Sequence, residues 1–163
     1  MPAGRSWDYK RNGTIDLFVA LNILDGTVVT ELHRRHRHQE FLLFLRTIDE
    51  NVPDGLDIHM VMDNLDIHTH PDVNRWFARH PRFKLHFTPI GASWLNMVEA
   101  WLSILTEKQI RRNSFPSVRA LVRAIREFVA EYQENPHPFV WTAKADDILR
   151  KVAKLRQLQA TGR

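Results

Sequence analysis

The chain has 163 residues, of which 44% are hydrophobic and 26% are charged, and this suits one globular domain with a buried core. No apolar run reaches the 18 or more residues of a membrane span, so no membrane association is expected. The lack of cysteine excludes disulfides and thiolate zinc sites. Residues 1–13 contain no apolar run that could serve as a secretory signal, so a cytoplasmic location is expected.

The formal net charge is +4 and the sequence pI is about 9.8, which favours a polyanionic partner. Two segments concentrate the positive charge. The segment "HRRHRH" at 33–38 contains three arginines, and the segment between Glu107 and Glu127 contains six cationic residues and no acidic one. A DNA-binding surface and an ordinary solvated surface both explain these segments. The candidate DNA-binding residues are Arg34, Arg35, Arg37, Arg119, Arg123 and Arg126.

Strand and turn patterns dominate the first 35 residues. Segments 14–24 and 27–35 are rich in β-branched residues and predict two strands, and Asp25-Gly26 between them predicts a tight hairpin. Apolar residues then recur at helical spacing over 38–52 and predict the first helix.

Two further strands are predicted at 56–63 and 83–89, with a helix between them that begins at Pro71. A long helix over 93–112 follows, and Ser117 is the expected cap of the next helix. A last helix is expected from about residue 143. Strands and helices in this order predict a single mixed α/β domain.

The segment "HMVMDNLDIH" at 59–68 places Asp63 at the tip of an apolar strand. Asp-Asn pairs commonly form turns, but ligands of open α/β sheets bind at the carboxyl ends of strands. Glu99 follows 36 positions later in "SWLNMVEAW", where unpaired burial of a glutamate would be costly. It could equally face solvent. Two such carboxylates would repel one another unless a divalent cation lay between them.

Three segments together resemble the catalytic domain of DDE transposases of the Tc/mariner superfamily, on its bacterial insertion-sequence branch. They are "MVMDN" with His68, "HPRFKLHFTPIGASWLNMVEAWLSILTEKQIRR" and "NPHPFVWT". The resemblance extends from about Asp8 to Lys154. It implies an RNase H-like α/β fold, a mixed sheet with flanking helices, and DNA strand cleavage and transfer with Mg²⁺ or Mn²⁺. In that family pattern Asp63 is the second aspartate and Glu99 the glutamate, both catalytic and both metal ligands.

The family's first aspartate has no counterpart in this sequence. It belongs to a central strand that precedes the segment at 14–24, so that first strand is expected to be missing. We therefore expect a truncated, catalytically incomplete domain over 1–163, with a core at about 8–155. Asp16 is an alternative third carboxylate.

The expected partners are transposon-end and target DNA, with nucleoid association when the protein is on DNA. A homodimer is left open. The alternative to a transposase domain is a non-catalytic basic DNA-binding module.

Overall fold

The structure, a computed structural model, describes residues 13–88 and 97–138 together with Arg150 and Ala153. Along these residues the elements with defined bounds alternate as a mixed α/β chain, as the sequence predicts. They are β1 (Asp16–Leu21), β2 (Val28–His33), α1 (His38–Asn51), β3 (Ile58–Met62), α2 (Pro71–Arg79), β4 (Phe83–Phe87), α3 (Met97–Leu105) and α4 (Val118–Glu134).

The four strands form two separate two-stranded sheets. β1 and β2 are antiparallel, with Asp16 opposite His33, whereas β3 and β4 are parallel, with Ile58 opposite Phe83. Within the described ranges no strand pairing joins β1 to β3. The layout is compatible with an RNase H-like fold.

The connection between β1 and β2 has six residues, 22–27, and is longer than the tight turn that Asp25-Gly26 suggests. The N–H of Asn22 donates to the C=O of Thr27 at 2.8 Å and closes the loop. The Asp25 carboxylate accepts from the N–H and the hydroxyl of Thr27, which lowers its pKa. Gly26 has a φ of +80°, and a Cβ there would lie 2.1 Å from the carbonyl oxygen of His137.

One buried cluster, named here the α1 cluster, receives side chains from both sheets. α1 contributes four of its apolar residues, and β1, β3, α2 and β4 contribute the others. Its buried members are Phe18, Phe41, Phe44, Leu45, Ile48, Met62, Val73, Trp76, Phe77 and Phe83. The two sheets therefore share a core although no backbone pairing connects them.

A second cluster covers the opposite face of the β1–β2 sheet, where α3 and α4 pack. Its buried members are Val28, Trp101, Leu105, Ile125 and Phe128. The Tyr132 hydroxyl donates to the C=O of Gly26 at 2.7 Å, and the Gln133 side-chain amide donates to the C=O of Val28 at the same distance. α4 is thus fixed to the start of β2 by hydrogen bonds as well as by apolar contact.

The long helix predicted over 93–112 is interrupted. It is α-helical from Met97 to Leu105 and continues as a π-helical segment, Thr106–Ile110, with the N–H of Arg111 bonded to the C=O of Thr106 at 2.9 Å. Ser117 caps α4 as predicted, since its side chain accepts from the N–H of Ala120. Residues 93–96 and the helix expected from about 143 lie outside the described residues, apart from Arg150 and Ala153, which are helical.

One edge of β3 is paired with β4, and every second residue of β3 directs its backbone N–H and C=O to the other edge. The N–H of Ile58 donates to the C=O of Arg82, and the C=O of Met62 accepts from Thr88. Because backbone groups of a strand in a parallel pair alternate in direction, those of His59 and Val61 point to the opposite edge. That edge has no strand partner among residues 13–88 and 97–138.

We predict that the amide protons of His59 and Val61 exchange with solvent at least about tenfold faster than those of Ile58 and Met60, which face β4. Hydrogen exchange followed by NMR measures all four amides in the same strand. Each amide that is hydrogen-bonded to β4 is therefore a control for the neighbouring amide that is not. Equal protection of the four amides would mean that another strand occupies this edge.

We also expect Trp101→Ala to lower the free energy of unfolding by about 3 to 5 kcal/mol, because the side chain is fully buried and its ring lies 5.7 Å from that of Phe128. Leu24→Ala is the control, since Leu24 is 84% exposed, and it should change stability by less than about 0.5 kcal/mol. Urea unfolding followed by circular dichroism tests both. Similar losses in the two variants would contradict the packing.

Candidate active site

Asp63 directly follows β3, at the carboxyl end of the parallel β3–β4 pair. Its side chain is 35% exposed, so the carboxylate lies at the boundary between the core and solvent. This is the edge of an α/β sheet at which ligands bind. The turn interpretation also holds in part, because the N–H of His68 donates to the C=O of Leu65 and closes a turn after Asp63.

Among the described residues, His68 is the titratable side chain that contacts Asp63. Its Nδ1 lies 3.1 Å from the backbone oxygen of Asp63 and 3.0 Å from the carboxylate Oδ1. The imidazole is only 14% exposed and its ring packs against that of Phe41, with centroids 4.6 Å apart. Packing onto α1 therefore fixes the ring that faces Asp63.

The Oδ1 atom of Asp63 is buried and has no hydrogen bond among the described residues. The contact between His68 Nδ1 and the Asp63 backbone oxygen has hydrogen-bond geometry, whereas the contact with Oδ1 does not. A buried carboxylate oxygen without a donor is costly. A cation would satisfy it, and carboxylate oxygens are the ligands that Mg²⁺ and Mn²⁺ prefer.

Asn64 stabilises the backbone beside the site. Its side-chain amide donates to the C=O of Thr88 at 2.7 Å, and the N–H of Thr88 donates to Met62 at 2.9 Å. Thr88 is itself buried. The chain after β3 is thus tied to the chain after β4, which limits the positions that Asp63 can take.

Glu99 is in the first turn of α3 and its side chain is exposed. It lines a shallow cavity of about 340 Å³ together with Ser103, Glu107 and Arg111. The exposed position agrees with the solvent-facing interpretation and leaves the carboxylate free to bind a cation. That Glu99 approaches Asp63 within about 4 to 8 Å, as two-metal chemistry requires, stays a prediction.

Asp16 is the first residue of β1 and is partly buried. Its strand is packed on both faces, since Phe18 enters the α1 cluster and Leu17 packs against the second cluster.

The predicted DNA-binding arginines are exposed, but not all are free. Arg37 bonds both oxygens of Glu40 and holds the pKa of that carboxyl at about 2. Arg123 Nε lies 3.8 Å from Glu127. The other four are exposed and have no ion pair within the described part of the chain: Arg34, Arg35, Arg119 and Arg126.

A group that the sequence did not reveal lies beside the loop after Asp63. His38, His70 and Asp72 place potential metal-ligand atoms within 4.8 Å of one another. The segment "HTHPD" contains two of the three residues, but His38 is 32 positions earlier and only the packing of α1 brings it near.

No helix in the described residues is long and apolar enough to cross a membrane. The DDE superfamily endonuclease family model matches residues 2–122. A protein of insertion element IS630 from Shigella sonnei, described as an uncharacterized 39 kDa protein, is 24% identical over 99 residues. This match covers 61% of the present chain and 28% of the IS630 protein, so the chain spans under a third of the relative it matches.

The family match covers the hairpin, Asp63 and Glu99, and it agrees with the transposase resemblance of the motifs around these two acids. The chain belongs to the DDE superfamily endonuclease family, and it is similar to a protein of insertion element IS630.

Proposed function

We propose that this chain is part of a transposase catalytic domain that cleaves and joins DNA strands by two-metal phosphoryl transfer, with Asp63 and Glu99 as metal ligands. The observation that carries the proposal is the Oδ1 atom of Asp63, which is buried just after β3 and accepts no hydrogen bond among the described residues, although His68 Nδ1 lies 3.0 Å away. A partly exposed carboxylate with one buried oxygen that accepts no hydrogen bond fits a hard cation better than it fits a turn.

Members of the DDE superfamily use divalent metals. Bound cations of this kind activate the attacking oxygen at a phosphodiester and stabilise the leaving oxygen. The chain's own part is to fix Asp63 by the hydrogen bond of Asn64 to Thr88 and by the contact with His68. Exposed Glu99 is the second oxygen donor in this proposal.

We further propose that one more strand belongs between β1 and β3 and carries the third carboxylate. The unpaired edge of β3 at His59 and Val61 supports this, because a row of free backbone groups is a template for strand addition. A strand parallel to β3 and antiparallel to β1 would put the start of β1, with Asp16, at the same end as Asp63. Asp16 is therefore the residue best placed to substitute for a missing acid.

Without that strand, two carboxylates are an incomplete catalytic set. We propose that residues 1–163 alone bind metal weakly and do not transfer strands. A non-catalytic DNA-binding module, the alternative reading of the sequence, is less well supported, because the family match includes both acids.

Manganese binding tests the site. Calorimetric titration of the wild-type chain should detect weak binding, and Asp63→Asn should reduce the affinity at least about tenfold, because it removes the charge that faces the cation. Asp66→Asn is the matched control, since Asp66 is an exposed acid in the same loop. Equal manganese affinity of Asp63→Asn and wild type would show that Asp63 is not a metal ligand.

A nicking assay on supercoiled DNA tests whether the catalytic set is incomplete. Nicking by wild type that Asp16→Asn abolishes would overturn the proposal that residues 1–163 are inactive alone, and it would assign Asp16 as the third acid.

DNA binding tests the arginines of α4. Arg119, Arg123 and Arg126 lie on one exposed side of the helix, and each phosphate contact contributes about −0.9 to the slope of log K against log salt. Replacing all three with alanine should therefore make the slope shallower by about 1 to 3, measured by fluorescence anisotropy on unrelated DNA sequences.

The control for that experiment removes the same formal charge elsewhere. Arg46, Arg79 and Lys84 are also exposed but lie outside both basic segments. Their triple alanine variant should keep most of the wild-type slope. If both triple variants change the slope equally, the effect is one of net charge and α4 is an ordinary solvated surface.

A further inference from the structure

We infer that His38, His70 and Asp72 form a second metal site, selective for a transition metal of the zinc type and separate from Asp63 and Glu99. The three side chains come from the first turns of α1 and α2 and from the residue before α2. Their ligand atoms lie within 4.8 Å of one another, and all three residues are partly buried. Two imidazoles and one carboxylate are ligands that zinc commonly uses in proteins.

The Asp72 carboxylate is oriented for this role. Its Oδ1 accepts a hydrogen bond from Arg75, and Oδ2 is left facing the two rings. Oδ2 lies 3.4 Å from His38 Nε2 and 3.8 Å from His70 Nδ1. An outer partner that holds a ligating carboxylate in place is a regular feature of metal sites. Arg75 serves that purpose here.

The rings must rearrange to bind. His38 and His70 stack with centroids 3.5 Å apart and planes 5° apart, and the in-plane lone pairs of parallel rings cannot meet at one ion. His70 is the freer ring, with 36% of its side chain exposed against 22% for His38. Its Nδ1 now accepts from the N–H of Asp72 at 3.2 Å, and a metal would replace that donor. Loss of this hydrogen bond reduces the metal affinity of the site without preventing metal binding.

The surroundings provide room for a fourth ligand. A cavity of about 290 Å³ adjoins the rings, and its lining includes His36 and Asp66. A water molecule could complete a tetrahedral set. Imidazole nitrogen selects zinc, cobalt and nickel over magnesium, so this site differs in chemistry from the carboxylate site at Asp63.

Binding there would fix the loop that carries Asp63. His68 already contacts Phe41 of α1, and a metal between His38 and His70 would add a second attachment about one helical turn away. The loop between β3 and α2 would then be held to α1 at two points. The site is structural in this inference and does not depend on the proposed catalysis.

Cobalt titration of the full chain, followed by its visible absorption, tests the inference. Cobalt in a tetrahedral nitrogen and oxygen site absorbs strongly, and excess magnesium should not displace it. His70→Gln and Asp72→Asn should each weaken cobalt binding at least about tenfold, since even outer-shell changes at metal sites cost about 10- to 100-fold.

His59→Gln is the matched control. His59 stacks with His86, with ring centroids 5.3 Å apart, but it belongs to no group of three potential metal ligands in the described residues. The His59→Gln substitution should therefore leave the cobalt affinity unchanged. Circular dichroism checks that each variant is folded. If His70→Gln does not fold, the cobalt affinity of Asp72→Asn tests the site. Wild-type affinity in Asp72→Asn, or an equal loss in His59→Gln, would overturn the site.

Discussion

Side-chain packing on α1 holds the two sheets together, because no backbone hydrogen bonds join β1 to β3 within the described residues. Phe18 of β1 and Met62 of β3 enter the same cluster, around Phe44 and Leu45 of α1. A two-stranded sheet is marginally stable by itself in water. The relative position of the hairpin and the β3–β4 pair therefore depends on how well the α1 side chains fill the space between them.

The same helix also sets the candidate sites. His38 and Phe41, three positions apart in the first turns of α1, contact His70 and His68 in the loop after β3. Asp63 begins that loop. Any shift of α1 relative to β3 would move the ring that faces the carboxylate, so the core and the site are coupled through one short segment. This explains why a carboxylate at a strand tip can be held without a full hydrogen bond to Oδ1.

Local patterns were sufficient to predict the four strands and the helices α1, α2 and α4, because period-2 and period-3.6 spacing arise from neighbouring residues. The position of Asp63 after a strand followed from the same patterns. The π-helical segment after Leu105 was not predictable in this way, since apolar spacing there fits an ordinary helix. The contact of His38 with His70 was missed for a different reason: it depends on the packing of α1 beside α2. The spacing of Asp63 and Glu99 has the same tertiary origin, and no local pattern contains it.

Fewer cationic side chains of this chain are available to DNA than the 23 lysines and arginines of the sequence suggest. Acidic neighbours engage several arginines, including Arg37 with Glu40, and Arg111 with Glu107. Such exposed pairs add little stability, but each offsets a positive charge that could otherwise neutralise a phosphate. In the proposed function, the arginines that remain unpaired contact the phosphate backbone, which fixes the position of DNA and carries no sequence information. Recognition of a particular DNA sequence would therefore require base contacts beyond those that such arginines provide, whereas the catalytic role proposed for Asp63 would require only that a phosphodiester lie beside it.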